Sequence, residues 1–577
     1  MSNAAVLPVP GAISRAHAGT WAAPASVLLV AAVSPFERPL ASFGTGGITV
    51  TTVEVALLIA LGAGVFAWRR DPTAARWATP VTVPMAAVLL VMTIAALAAP
   101  EARGNAIRFA GRMFAAAALF VLTVNIVTTR DRAGRVVASL LAAGAAVGVL
   151  AVLELMQVPA VMELLRAFRP GFHVVGGQVR ATATLFYPTI ASMYLEVVFA
   201  LGLYWLSAAT GIRRIVPVFA ALTLIGAGIV ATFTRAGLIT MAMSVAIAGG
   251  IVLVRHRRWL PGHSRLAALA AVLVLLVFVS RSPQMLMARM SSEGSQEWYG
   301  ASYSVPQTLT LRPDSFNDIP VTLANRGQLT WQSQQLPVFA LSYHWLTSDT
   351  EEVVIYDGLR TPFPQPVEPG DEVPVLARVR APGYPGTYVL AWDVVQEHRT
   401  WLSIEGVYPG RTLVSVEGPA VTAPLATLGR MPASVMRLPR LLLWDTALSV
   451  SRDHPWLGVG PDNFRFVYGR YLNLETPDTR VHANNAYLEV LTGTGVAGLT
   501  AVAWLAVALG VALWRQWRTV TAEALPLFAA VTAAIAAIAV HGLVDSFFTF
   551  TPTYVVFALA GGLMFSPAMS GADAHRL

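Results

Sequence analysis

The stretch VHANNAYLEVLTGTGVAGLTAVAWLAVALGVAL, residues 481–513, decides the fold. Its first part is polar and carries His482, Asn484 and Asn485; from Gly493 onward it is an uncharged, largely apolar run. Roughly 17 to 25 apolar residues suffice to cross a bilayer as a helix. A soluble outer segment therefore meets a membrane at this point, with its polar side chains at the junction. Just upstream, DHPWLGVGPDNFRFVYGRY (453–471) adds a loop rich in Gly and aromatic residues.

Working outward, 55% of the 577 residues are apolar and 12% are charged. Runs of spanning length recur near 22–36, 50–68, 80–99, 109–128, 136–155, 185–208, 215–233, 236–254, 266–282, 493–514, 524–544 and 550–567. The pattern predicts a polytopic α-helical membrane protein of about twelve transmembrane helices. Cytoplasmic loops retain an excess of Lys and Arg. Lys is absent, and alternate connections carry the Arg residues 69, 70 and 76, then 130, 132 and 135, then 213 and 214, then 255, 257, 258 and 265, then 515 and 518. Both termini are therefore expected in the cytoplasm, with residues 1–21 as a cytoplasmic segment, and the first span is expected to stay as an anchor rather than leave as a signal peptide.

The net charge of +8 is on this reading mostly a topology signal. Nucleic acid is not an expected partner, because no basic stripe or aromatic platform accompanies the charge. Without Cys there is no thiolate chemistry or disulfide, and without Lys there is no Schiff base or P-loop lysine. No metal-ligand constellation stands out in the outer segments, so neither a metal nor another cofactor is expected.

The transmembrane regions 22–282 and 493–567 bracket a long extracytoplasmic stretch. Within it, residues 300–418 change to period two: Phe339, Leu341, Tyr343 and Trp345 share a face, as do Val373, Val375, Ala377 and Val379, and Tyr388, Leu390, Trp392 and Val394. Turn signals such as Asp357-Gly358 and Pro369-Gly370-Asp371 separate about seven strands, the spacing of an immunoglobulin-like β-sandwich inserted in the large loop. Its aromatic residues read as core before they read as a sugar platform. Residues 435–492 then form an outer motif region, with a helix on the membrane interface whose Leu441, Trp444 and Leu448 make one stripe.

Several arginines break the inside-positive pattern. Arg103, Arg108 and Arg112 sit at the outer ends of spans three and four, Arg166, Arg169 and Arg180 follow span five, and Arg235 lies in the tight turn between spans seven and eight. Arg presents a rigid, permanently charged fork suited to phosphate. Snorkelling at the interface accounts for Arg103 and Arg166. Arg180 and Arg235 have little loop in which to be solvated and read as functional. Glu196, inside span six, is a further candidate by default, with a neighbouring Arg as its expected partner.

Four segments carry a family resemblance: Arg180-Ala-Thr-Ala-Thr-Leu-Phe-Tyr-Pro, Thr232-Phe-Thr-Arg235-Ala-Gly, the region from Arg440 to Gly498 with Trp444, Pro455, Gly458, Gly460, Phe464 and Asn485, and His541-Gly-Leu-Val-Asp545. Together they resemble the O-antigen ligase and O-antigen polymerase superfamily of bacterial membrane glycosyltransferases, and the sandwich looks like an insertion in it. The resemblance implies a GT-C-like enzyme of the plasma (inner) membrane that moves a glycan from an undecaprenyl-pyrophosphate carrier to a lipid- or glycan-linked acceptor hydroxyl, with no metal. Membrane lipids are its other expected partners. It also implies roles: Arg180 and Arg235 on the leaving pyrophosphate, His482 as general base, and Arg440, Asn484, Asn485, Arg112 and Asp545 in substrate binding. The family pattern places His directly before Asn, and counted back from Gly495 and Gly498 that position is Asn484. Either His482 takes over from two residues upstream, or it is the first His of a His-x-His-Asn form of the motif and the base role passes to it or is not needed; an Asn at 484 can orient a hydroxyl but not accept its proton. A transporter of lipid-linked glycans would be expected to show internal repeats and interrupted mid-membrane helices, and a receptor that binds partners through the sandwich would not require outer arginines. Both remain the alternatives.

Overall fold

A computed structural model describes residues 15–43, 48–70, 76–169, 173–175, 178–257, 260–279, 298–334, 338–397, 400–428, 440–472 and 479–569. The chain divides into two units, one made of Met1–His173, Arg180–Leu286 and Arg440–Leu577, the other of Val174–Val179 and Met287–Pro439.

The first unit is helical. In chain order it contains α1 (Arg15–Val33), α2 (Thr52–Arg70), α3 (Thr82–Ala98), α4 (Arg103–Ile126), α5 (Arg130–Leu155), α6 (Pro159–Arg166), α7 (Pro188–Ala208), α8 (Ile212–Ala231), α9 (Arg235–His256), α10 (Pro261–Val279), α11 (Arg440–Asp453), α12 (Phe464–Tyr471), α13 (Ala486–Thr519), α14 (Leu525–His541) and α15 (Thr551–Phe565). Among the described residues, eight helices are long and apolar enough to cross a membrane, and four shorter apolar ones accompany them, at Ala22–Val33, α3, α14 and α15.

The sequence of α7 is apolar on all sides, and a helix of that kind is stable only when surrounded. It is buried along nearly its whole length. Glycines let neighbours close in around it: a Cβ at Gly148 of α5 would stand 2.3 Å from the carbonyl oxygen of Leu224 in α8, and one at Gly228 would stand 2.9 Å from the Cα of Gly148. Close approach of backbones at small residues is how helices gain packing energy where lipid removes the hydrophobic drive. In α11 the buried face is Leu443, Ala447 and Val450, while Leu441 and Leu448 of the expected stripe are exposed. The stripe is therefore not what holds α11 to this unit. Its expected start at Pro439 lies outside the described residues.

Among the described residues of the first unit, β1 (Pro39–Phe43) pairs with β2 (Ile48–Thr51); β3 (His173–Val175) and β4 (Gln178–Arg180), most of whose residues belong to the second unit, pair with each other. Among the described residues 298–428, the second unit has the strands β5 (Ala301–Ser304), β6 (Thr308–Leu311), β7 (Phe316–Asn325), β8 (Phe339–Thr347), β9 (Val353–Ile355), β10 (Thr361–Pro362), β11 (Glu372–Arg380), β12 (Gly386–Gln396), β13 (Thr400–Trp401) and β14 (Gly410–Val416). One sheet runs β10-β8-β12-β14-β6, with β9 and β13 on its margins; the other runs β11-β7-β5. Pro320 is tolerated in β7 because β5 pairs only with Thr322–Asn325, which leaves Pro320 no ladder bond to donate on that side.

Alternation holds in β11, whose Val373, Val375, Ala377 and Val379 are buried between exposed neighbours. Trp345 and Trp392 are fully buried, in keeping with the core reading of the aromatic residues. Trp345 and Tyr343 also bridge the sheets, the indole Nε1 donating to the Arg380 carbonyl at 3.0 Å and the phenol accepting from the Arg380 amide at 2.9 Å. In β8 both faces are buried. The second face is covered by Tyr356, Trp401 and Ile404, which pack on Ala340 and Val395. Period two located that strand, but its second partner layer comes from a segment that has no periodicity of its own.

Candidate functional site

The start of α13 shows how the motif glycines work. At Gly495 the helix takes φ 64° and ψ −166°, a backbone conformation that only Gly adopts readily. The chain from Pro455 to Pro461 lies against this break: Val459 N donates to Thr492 O at 2.9 Å, Gly460 N to Gly493 O at 3.1 Å, and Val496 N to Pro455 O at 2.8 Å. A Cβ at Gly458 would stand 2.3 Å from Thr492 O, and one at Gly495 would stand 2.3 Å from Trp456 O. The glycines are thus the interlock between two backbones. Asn485 caps α13, its Oδ1 accepting from Tyr487 N at 2.9 Å and Leu488 N at 3.0 Å, while its Nδ2 donates to Leu543 O at 3.0 Å. These bonds give Asn485 a positioning role, tying α13 to the segment after α14. Asn484, at φ 50°, makes the left-handed turn into the cap.

This turn presents His482 to a buried polar cluster. Its Nδ1 lies 3.4 Å from Glu489 Oε1 and 3.7 Å from Asp462 Oδ1, and it has no hydrogen-bond partner among the described residues. Asp462 Oδ1 accepts from Thr549 Oγ1 at 3.0 Å, and its Oδ2 accepts from Arg465 at 2.8 Å and Asn105 at 3.1 Å. Arg112 supports the same group by donating to Thr549 O at 3.1 Å. Burial works against the imidazolium, but the carboxylates of Glu489 and Asp462 outweigh both burial and the opposing charge of Arg465, so His482 is held above its ordinary value. Asp462 and Glu489 stand at the polar end of an apolar cavity of about 320 Å³, lined by Met92 of α3, Met113 of α4, Leu505 of α13 and Phe557 of α15. Among the described residues no three His, Asp or Glu side chains are grouped to hold a metal ion.

Arg180 reaches the turn between α8 and α9 that leads into Arg235. Arg180 Nε donates to Thr232 O at 2.9 Å and its Nη2 donates to Thr234 Oγ1 at 3.3 Å, and Arg235 is the next residue along. Phe233, at φ 50°, makes the turn tight. The segment after Arg180 is clamped by a buried ion pair: Glu154 of α5 accepts from Ala183 N at 2.7 Å and pairs with Arg169 at 2.5 Å, while Arg169 donates to Ala183 O at 2.8 Å. Arg169 belongs to the scaffold that sets Arg180.

A third cluster connects these two. Glu196 lies 2.9 Å from His541 Nδ1 and accepts from Ser192 and Thr240, all of them buried. The expected Arg partner for Glu196 is therefore His541 instead. Thr240 sits on the helix that begins with Arg235, and Gly542, directly after His541, accepts from Ala486 N at 2.8 Å. The charges of Asp545 and Arg440 both reach His541, and Asp545 Oδ1 also accepts from Ser546 N at 2.7 Å. The expected site residues are thus distributed over three groups rather than one, around Asp462, at the turn between α8 and α9, and around His541. Asp462, Glu489, Thr549 and Glu154 were not singled out from sequence. Asp462, between Pro461 and Asn463, reads as an ordinary turn residue, and Glu489 as a favourable first-turn acid.

Residues 421–503 match the family model described as O-antigen ligase. This stretch is similar to the O-antigen ligase family. The match supports the resemblance to the O-antigen ligase and polymerase superfamily and a ligase- or polymerase-type membrane function, with lipid-linked glycans as the implied substrates. The matched segment contains Arg440, Asp462, His482, Asn484, Asn485 and Glu489; Arg112, Arg180, Arg235 and Asp545 lie outside it. No curated protein matches the chain.

Proposed function

We propose that this protein transfers a glycan from an undecaprenyl-pyrophosphate carrier to an acceptor hydroxyl on the outer face of the plasma membrane. In this reading the eight long and four shorter apolar helices make twelve spans, both termini are cytoplasmic, and the sandwich is an immunoglobulin-like insertion on the outer side. The acceptor oxygen attacks the anomeric carbon while the bond from that carbon to the pyrophosphate oxygen breaks. The hydroxyl proton passes to His482, and the electron pair leaves with undecaprenyl pyrophosphate, whose charge Arg180 and Arg235 stabilise. Asn484 and Arg440 contact the sugars or the acceptor, and Asp545 and Arg112 hold the surrounding network.

One observation carries the reading: within the segment that matches the O-antigen ligase family, the His482 imidazole sits 3.4 Å and 3.7 Å from Glu489 and Asp462, two carboxylates that line an apolar cavity. The test is glycan transfer in membranes from an undecaprenyl-pyrophosphate-linked donor, with a chelator present. Native protein is expected to transfer, Arg235→Ala and His482→Ala to lose transfer, and Asn484→Ala to be impaired. Full activity in both of the first two variants would overturn the assignment of the site.

A further inference from the structure

Asp462 is in the left-handed region at φ 62°, a conformation that costs a non-glycine residue of order 1–3 kcal/mol and persists only where the surroundings impose it. Its side chain is 2% exposed. Both oxygens are engaged, by Thr549, Arg465 and Asn105, from three separate parts of the chain. Such a carboxylate cannot rotate, and Oδ1 remains 3.7 Å from His482 Nδ1. The same residue lines the polar end of the apolar cavity, where a purely structural ion pair has no need to be.

We propose that Asp462 is a positioning residue for His482: clamped by Thr549, Arg465 and Asn105, it presents a fixed carboxylate 3.7 Å from the imidazole and orients that ring for work on a hydroxyl bound in the adjoining cavity. This rests on the reading of His482 as the base. The charged groups around the imidazole are Asp462 from the loop before α12, Arg465 from α12 and Glu489 from α13. Glu489 Oε1 also accepts from Ala483 N at 2.7 Å, so it is partly engaged with the backbone. Asp462 is the carboxylate with a dedicated clamp.

The test compares full-length native protein with Asp462→Asn, which keeps the shape and the tolerance for a left-handed backbone but loses the charge, and with Asp462→Gly, which relieves the backbone and removes the side chain. Two readouts are taken in membranes: kcat and KM for transfer, and the rate at which diethyl pyrocarbonate modifies His482 as a function of pH, read by mass spectrometry of its peptide. The second reports the imidazole directly and needs no turnover. In Asp462→Asn the modification midpoint is expected to fall by about one pH unit, and kcat by about tenfold with little change in KM. In Asp462→Gly the loss is expected to be at least as large despite the relaxed backbone. An unmoved modification midpoint in both variants overturns the proposal, even if activity falls with the amount of folded protein. A native protein that shows a normal His482 titration but no transfer overturns the glycosyltransferase reading instead, and the midpoint shift still decides whether Asp462 governs His482.

Discussion

Glu196 and His541, 345 positions apart in the chain, form a buried pair at 2.9 Å that joins α7 to the end of α14. Through Thr240 the same carboxylate holds α9, the helix that starts with Arg235. Taking one partner from a buried pair leaves the other uncompensated and typically costs about 3–5 kcal/mol. Glu196→Ala and His541→Ala are each expected to lower thermal stability in detergent strongly, and the double variant to lose less than the sum. Additive losses in that cycle would show the two side chains to be independent.

Arg169 and Arg180 look alike in sequence and should behave oppositely. Arg169→Ala breaks the buried pair with Glu154 and is expected to cost about 3–5 kcal/mol of stability. Arg180→Ala removes a half-buried cation from the proposed donor site and is expected to lower transfer by about 10²–10³-fold while the protein stays folded. Melting curves read beside transfer rates separate the two, and a stable but inactive Arg169→Ala would contradict the scaffold role.

As the proposed base, His482 is expected to set the pH dependence. A base must be neutral to accept a proton, and the adjoining carboxylates hold this imidazole above its ordinary value, near 6.5. The rising limb of kcat/KM against pH is therefore expected at a pH above 6.5. Stability runs the other way: the contribution from protonated His482 is fully present below about 6.5, the unfolded value, and is lost as the pH rises through the higher folded value. A limb at or below the ordinary value would count against this environment.

The interlock at α13 predicts a graded series. Asn485→Ala removes a helix cap and is expected to cost about 1 kcal/mol, with the bond to Leu543 O lost as well. Gly495→Ala is expected to be worse, since it meets both a strained backbone and the Trp456 carbonyl. Expression and melting temperature in detergent rank the two, and equal effects would argue against the interlock.

Apolar length and Arg placement by themselves marked out a polytopic helical protein, because a bilayer demands long uninterrupted runs that are visible one residue at a time. Period two located the β-rich insertion in the same way, since alternation is a local property of a half-buried strand. The sequence also singled out His482, Arg180 and Arg235, whose charge or proton affinity makes them unusual at a membrane surface. Only the tertiary structure decided what they touch. Asp462 lies 87 residues from Thr549 and 357 from Asn105, and the three meet around one carboxylate, so nothing in the local pattern of any of them announces the contact. Arg169 stood out as an outer arginine, but only the packing shows that Glu154 pairs with it, and Asn485 turns from a motif residue into a helix cap once its neighbours are known. Periodicity reports which side of an element is buried; which polar groups share that burial depends on the packing of elements distant in sequence.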